Sequence, residues 1–290
     1  MFDINAHVDS TDGVWLVVEA RVDVPAARAF TEVATAEGIS AWFSPTTLDP
    51  EVGGELLQGL DPTVGPDSPD FAEMATRGTV TEYRAPSAFG AGRFAYVERD
   101  WMGPGMPVDP WITSFEVAES GHESGTGTLI TLRSGFEQDS QLGRTSAEES
   151  ETGWTQAMHC LAHRLTAFPD GGARITQALS DVRPGSVEAL WARAAKALGI
   201  PEGTEPGTHI DAASRAGRVA GTVLHASEGA AVLALSSPGV GTLNVYCFPA
   251  GESASEATSH AQLAARFAEP ADAPSDWDSI RWQRWLDSLA

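Results

Sequence analysis

An α+β fold, with a curved antiparallel sheet closed by one long helix, is what this 290-residue sequence predicts. Three observations carry that expectation. The segments WITSFEVAES and GTLITLRSGF alternate apolar and polar residues on either side of the turn-rich GHESGTG, which marks an antiparallel hairpin. Several further β-rich runs, each bounded by Gly or Pro, precede that pair. A stretch from about 147 to 168 then carries Trp154, Ala157, Met158, Leu161 and Leu165 on one helical stripe. A curved sheet without a covering layer would expose its concave face, and a long amphipathic helix covers it.

The elements follow in order. VWLVVEARVDV (14–24) is rich in β-branched residues and reads as the opening strand. Pro25 starts PAARAFTEVATAEGISAWF, where Phe30, Val33, Ile39 and Trp42 predict two short helices. GGELLQGL, TRGTVTEYRAP and AFGAGRFAYVERD are three more strands, with DPTVGPDSPD as the loop between the first two. WMGPGMPVDP (101–110) is a loop, because its prolines and glycines exclude regular structure. The hairpin comes next, and the polar EQDSQLGRTSAEESE leads into the long helix, which Pro169 closes.

The chain is expected to divide into residues 1–168 and 169–290. The second part reads as a smaller α+β domain. VRPGSVEALWARAAKALGI resembles VDVPAARAFTEVATAEGI, with a Pro before an amphipathic helix that ends at Gly-Ile. RVAGTVLHA, AAVLALSS and GTLNVYCF are strands, and helices are expected at 254–268 and 277–289. Either this half is a reduced repeat of the first, or it is an unrelated accessory domain.

Bulk composition narrows the function classes. There are 40 acidic and 18 basic residues, a net charge of −22. The excess is concentrated in residues 1–168, with 26 acidic against 9 basic groups. Such a surface repels phosphate backbones and anionic lipid, so nucleic acid is not an expected partner. Lys196 is the one lysine beside 17 arginines, which points to a GC-rich bacterial genome. Cys160 and Cys247 are too few for a disulfide scaffold. MFDINAHVDSTDG has neither the basic n-region nor the apolar h-region of a signal peptide. No apolar run approaches the roughly 20 residues of a membrane span. A soluble, cytoplasmic protein without membrane insertion is the expectation.

Seven ordered blocks carry a family resemblance. They are VEARVDVPAARAF, AWF (Ala41, Trp42, Phe43), VGGEL (Gly53, Gly54), GTVTEYRAPSAF, ITSFEV, GTLITLRSGF and GWTQAMHCLAHRL. Over about residues 14–168 the chain resembles the START/polyketide-cyclase (SRPBCC) superfamily, within it the branch similar to the activator of heat-shock-protein ATPase (AHSA-type). The resemblance implies a helix-grip fold, with a seven-stranded antiparallel sheet around the C-terminal helix and often a cavity between them. It implies no single activity, since such proteins include carriers, cyclases, hydrolases and chaperone-associated proteins. The second half and the long 101–110 loop depart from a single-domain member.

His159 and His163, beside Cys160, look like a metal pair at helical spacing. At about 100° per residue they fall opposite the apolar stripe, so they are expected on the outer face. No third ligand joins them there, and no metal site is expected. No cofactor is expected either. GRFAYV and GAGR lack the strand–turn–helix setting of a phosphate loop, and Ser134 in RSGF has no nucleophile elbow.

The aromatics make the sharper pattern. Trp42, Phe43, Phe94, Trp101, Trp111, Phe115 and Trp154, with Tyr96, Met158 and Leu161, are expected around the space under the long helix. They either line a ligand pocket or fill an ordinary core. Glu55, Arg77, Glu82, Tyr96, Glu98, Arg99 and Arg133 are the acid–base candidates, Tyr96 and Glu98 sharing one strand face. No catalytic residue is assigned. The leading reading is a small-molecule binding protein that holds an apolar or amphipathic ligand in a cavity between sheet and helix. The alternatives are a cyclase- or hydrolase-like enzyme using that cavity, and a chaperone-associated module with a protein partner.

Overall fold

The computed structural model describes residues 2–289 apart from 60–63, 89, 103–105, 107, 121–126, 169–171, 215–216, 251–259 and 272–277. All of the GHESGTG turn but its last glycine, and parts of the DPTVGPDSPD and WMGPGMPVDP loops, therefore lie outside the described residues. The chain divides into two compact units, 2–169 and 170–290.

The first unit runs β1 (Asp3–Asp9), β2 (Val14–Val22), α1 (Ala26–Ala34), α2 (Ala36–Trp42), β3 (Thr46–Leu48) and β4 (Glu55–Gly59). It continues with α3 (Phe71–Met74), β5 (Ala75–Arg84), β6 (Gly92–Glu98), β7 (Trp111–Glu119), β8 (Thr128–Phe136) and α4 (Gln141–Ala167). All pairings are antiparallel, in an eight-stranded sheet of order β1-β2-β8-β7-β6-β5-β4-β3. This is the helix-grip arrangement with one strand more than expected. The extra strand, β1, has an alternation of Ile4, Ala6 and Val8 too weakly apolar to stand out in the sequence. It nonetheless pairs along its whole length with β2.

Local chemistry sets the helix ends. Pro25 carries the first carbonyl of α1, and Thr35 caps α2 by accepting from the Gly38 N–H at 3.1 Å. Ser140 caps α4, accepting from the Gly143 N–H at 3.0 Å. That cap starts the helix some turns earlier than the apolar stripe alone predicts. α4 packs on β1, β2 and β8 and against α1 and α2. A buried ion pair, Arg164 to Glu32 at 3.4 Å, ties α4 to α1. Arg28 donates to the Phe168 carbonyl at 2.7 Å, and the Trp42 indole donates to the Glu32 carbonyl at 2.8 Å.

The second unit runs β9 (Ala173–Leu179), β10 (Arg183–Pro184), α5 (Val187–Leu198), β11 (His209–Ser214) and β12 (Gly217–Ser227). β13 (Ala230–Ser237), β14 (Gly241–Pro249), β15 (His260–Pro270) and α6 (Ser279–Leu289) complete it. Its sheet order is β10-β15-β14-β13-β12-β11, with β9 also on β15. Leu190, Trp191, Ala194 and Leu198 of α5 join Trp282, Trp285 and Leu286 of α6 over Leu233, Leu243, Leu263 and Phe267 of the sheet. Both units thus run strand, helix, antiparallel meander, helix, and in both the strand before the helices pairs with the meander's last strand.

The helix expected at 254–268 is overturned: residues 260–270 form β15. HAQLAARFAEP is rich in alanine, the best helix former. Here pairing to β14 on one side and to β9 on the other overrides propensity. Ala261, Leu263, Ala265 and Phe267 then bury their side chains in the core with a period of two. Among the described residues no helix is long and apolar enough to cross a membrane.

Candidate functional site

Antiparallel register sorts the inner face of the first sheet into rows. Phe94 on β6 faces Phe115 on β7, and Phe115 faces Leu132 on β8. Two residues along, Tyr96 faces Thr113, which faces Ser134. Two further, Glu98 faces Trp111. One row is apolar and the next is polar, yet both are buried, with Thr113 and Ser134 fully enclosed and Tyr96 at 2% exposure.

Hydrogen bonds join the polar row. The Trp111 indole donates to Ser134 Oγ at 2.7 Å, and Ser134 Oγ lies 3.1 Å from Thr113 Oγ1. Thr113 also bonds the Tyr96 side chain, whose hydroxyl donates to Gln58 Oε1 at 3.3 Å. Glu98 bonds Thr76. Gly78, opposite Glu98, makes room for this meeting: a Cβ there would lie 3.1 Å from Tyr96 and 3.6 Å from Glu98.

Electrostatics follow burial. Desolvation pushes the Tyr96 phenol well above its ordinary range, and the nearby Glu98 charge adds to it, so Tyr96 stays a neutral donor. Burial also raises the Glu98 carboxyl above its usual 4.5, against the opposing Thr76 hydrogen bond. A carboxyl that holds its proton longer than usual therefore sits beside a phenol and opposite an indole.

The aromatics form two groups. Trp42, Phe43, Phe94, Phe115 and Trp154 pack together: Phe43 stacks on Trp154 at 4.8 Å, Phe94 on Phe115 at 6.4 Å, and Trp42 meets Phe115 edge-on at 6.1 Å. Trp101 and Trp111, both half-buried, pack with Phe136 at 5.0–5.6 Å. Tyr96 touches the first group through Phe94 and lies in the polar row between the two. Met158 and Leu161 of α4 are fully enclosed. Along α4 the row toward Phe136 is small, with Gly143 and Ala147 buried one turn apart before Trp154.

The remaining acid–base candidates are elsewhere. Glu55 pairs with Arg77 and Arg93 with Glu116, all on exposed positions, and Glu82 lies 3.8 Å from Arg93. Arg133 reaches Asp12 at 2.8 Å and lies over the Trp15 ring, and Arg99 is exposed. None of these joins the inner rows.

The outer-face reading of the histidines is corrected. His159 is only 7% exposed, and both rings lie against Phe2, at 6.5 and 6.3 Å. β1 and the residue before it cover the helix side that a sheet without β1 would have left open. Burial lowers the His163 pKa to about 4, so its imidazole is neutral at pH 7. Among the described residues no three His, Cys, Asp or Glu side chains gather as a metal site.

Gln58, Thr76 and Thr113 are functional candidates that residue-by-residue reading of the sequence missed, and Ser134 is one that it weighed only as a nucleophile. The signal was present for two of them. Thr113 has the parity of Trp111 and Phe115, and Ser134 that of Leu132 and Phe136, so each is a polar residue at an inward strand position.

No family model and no curated protein matches the chain. Solved structures do. CalU16 from Micromonospora echinospora is 15% identical, with a TM-score of 0.37, over 59% of this chain and 86% of its own. Protein NE0264 from Nitrosomonas europaea is 16% identical, with a TM-score of 0.40, over 55% and 97%. The di-domain ARO/CYC BexL from the BE-7585A biosynthetic pathway is 14% identical, with a TM-score of 0.39, over 87% and 84%.

Proposed function

We propose that residues 2–169 form a small-molecule binding unit, holding an apolar or amphipathic ligand between the inner face of the sheet and α4. The observation that supports this is the buried polar row Tyr96–Thr113–Ser134 set among aromatic rings. Few polar groups in an apolar wall fix a ligand's orientation while its body supplies the buried area. The half-buried Trp101 and Trp111 stand at the end of that row, where an entrance is best placed.

Catalysis at the same proposed site is favoured by one further observation. Glu98, raised by burial, lies beside the Tyr96 donor. A carboxyl poised nearer neutrality can move a proton while a phenol hydrogen-bonds a carbonyl oxygen, which is the equipment of a cyclase-like reaction on a carbonyl compound. The common strand–helix–meander–helix order supports reading residues 170–290 as a reduced second copy of the same plan.

Native mass spectrometry of the full chain purified from its own host tests the binding reading. A co-purifying apolar molecule, lost from a Thr113→Val/Ser134→Ala variant that remains folded, is expected. A chain that carries nothing at high sensitivity, or that keeps its passenger in that variant, overturns it. With the passenger in hand, Glu98→Gln separates the two activities: conversion stops and binding persists if the cavity is catalytic.

A further inference from the structure

We propose that the second unit carries a ligand site of its own, for a small molecule with a flat apolar body and a cationic amine. The site is a groove of about 830 Å³ bounded by α5, residues 199–204 and the β12–β13 hairpin. It is independent of the reading given to the first unit.

The groove exists because of small residues. Ala192 and Ala195 on α5, with Gly199 and Gly203 beyond its end, leave space that the hairpin does not fill. Gly199 ends α5 in the left-handed conformation at φ 72°, turning the chain so that Ile200 buries beside the groove. Across the gap Gly229 has only the Cys247 carbonyl, at 3.9 Å, and Val187, at 4.0 Å, near the place of a Cβ. Such a volume lies within the range of ligand-sized pockets, about 300–1,000 Å³.

The lining names the ligand class. Trp191, Ala195 and Ile200 give a largely buried apolar floor, suited to the face of a ring system. The charged groups around it are Glu188, Glu202 and Glu228 against Lys196, an excess of negative charge. The Ser186 hydroxyl and the helix N-terminus hold the Glu188 carboxyl below its usual range, so it stays ionised. An ammonium group is attracted both by these carboxylates and by the indole face. Ser227 lies on the same wall.

Three probes with one apolar body separate shape from charge: 2-naphthylmethylamine, 2-naphthalenemethanol and 2-naphthoate. Titration of the full chain, followed by calorimetry and by amide and indole NMR signals, is expected to give saturable binding of the amine. Its affinity should exceed that of the alcohol by about 3- to 10-fold and that of the carboxylate by more. Shifts should fall on residues 187–204, on 226–229 and on the Trp191 indole. Ala192→Trp, at an exposed helix position, should weaken the amine at least about 10-fold by filling the groove, with Thr204→Phe as the second filling variant. The double change Glu202→Gln/Glu228→Gln should bring the amine down to the level of the alcohol. The proposal fails if none of the probes binds, if the shifts fall on the first unit, if folded filling variants bind as before, or if 2-naphthoate binds as well as the amine.

Discussion

The two units share a coarse order of strand, helix, meander and helix, and they differ in where they leave room. In the first, α1 closes on the β5–β6 hairpin: Phe30 meets Tyr83 edge-on at 5.6 Å, and a Cβ on Gly92 would come within 2.7 Å of the Phe30 ring. In the second, α5 faces the equivalent β12–β13 hairpin across an open groove. The inner faces differ in the opposite sense. The first sheet buries Tyr96, Thr113 and Ser134 on its inner face, whereas the second buries only apolar side chains such as Leu243, Val245, Leu263 and Phe267 at the matching rows of its core. A similar order of elements therefore accompanies buried polar chemistry on the sheet of one unit and open space beside α5 in the other. Side-chain size at a few positions sets that difference.

Four measurements break or sharpen that comparison. The largest effect is expected from Phe30→Ala, which opens the closed gap. The loss of a buried aromatic should cost about 3–5 kcal/mol in urea unfolding, and a cost below about 1 kcal/mol would show that the gap is not held shut by this contact. His163 comes next. Its folded pKa is depressed, so its contribution is present above 6.5 and is lost as pH falls toward about 4. His163→Gln should remove about 2 kcal/mol of the difference in stability between pH 7 and pH 4, while the wild-type slope persists if the ring is not buried in solution.

A paired test of the serines follows. Ser134→Ala leaves the Trp111 indole and Thr113 without their shared partner and should cost about 1–2 kcal/mol. Ser227→Ala removes a hydroxyl that has no hydrogen-bond partner among the described residues and should stay within about 0.5 kcal/mol. Equal costs would erase the contrast between a satisfied polar row and an unfilled groove. The smallest effect belongs to Glu98→Gln. A raised carboxyl favours the folded state below its unfolded pKa of 4.5 and loses that advantage as pH rises through the folded value. The variant should be more stable than wild type at pH 8, with no gain at pH 4, as thermal melts at the two values would show.

How much of this was legible in the sequence varies with the physics of each feature. Alternation in WITSFEVAES and GTLITLRSGF locates β7 and β8, because burial on one face imposes a period of two. The stripe through Trp154, Met158 and Leu165 marks the buried side of α4, but its start depended on Ser140, a cap within a polar run. β15 misled because alanine's helical preference is local, whereas its two pairing partners, β14 and β9, are distant in sequence. Tyr96 and Glu98 were visible as neighbours on one face, and Thr113 and Ser134 needed the register that puts them beside Tyr96. The groove could not be read at all. It is a space left between α5 and the turn at 226–229, and no residue pattern records a space.

Lys196 gives the groove a practical consequence. As the one lysine in 290 residues, its ε-amine is the sole side-chain target for an amine-acylating reagent, and it stands on the groove wall. Once the chain's more acidic α-amine has been blocked, one reaction can therefore plant a dye or a crosslinker at that spot without any engineered cysteine. The speed of that acylation doubles as a footprint, slowing whenever a bound molecule shields the amine.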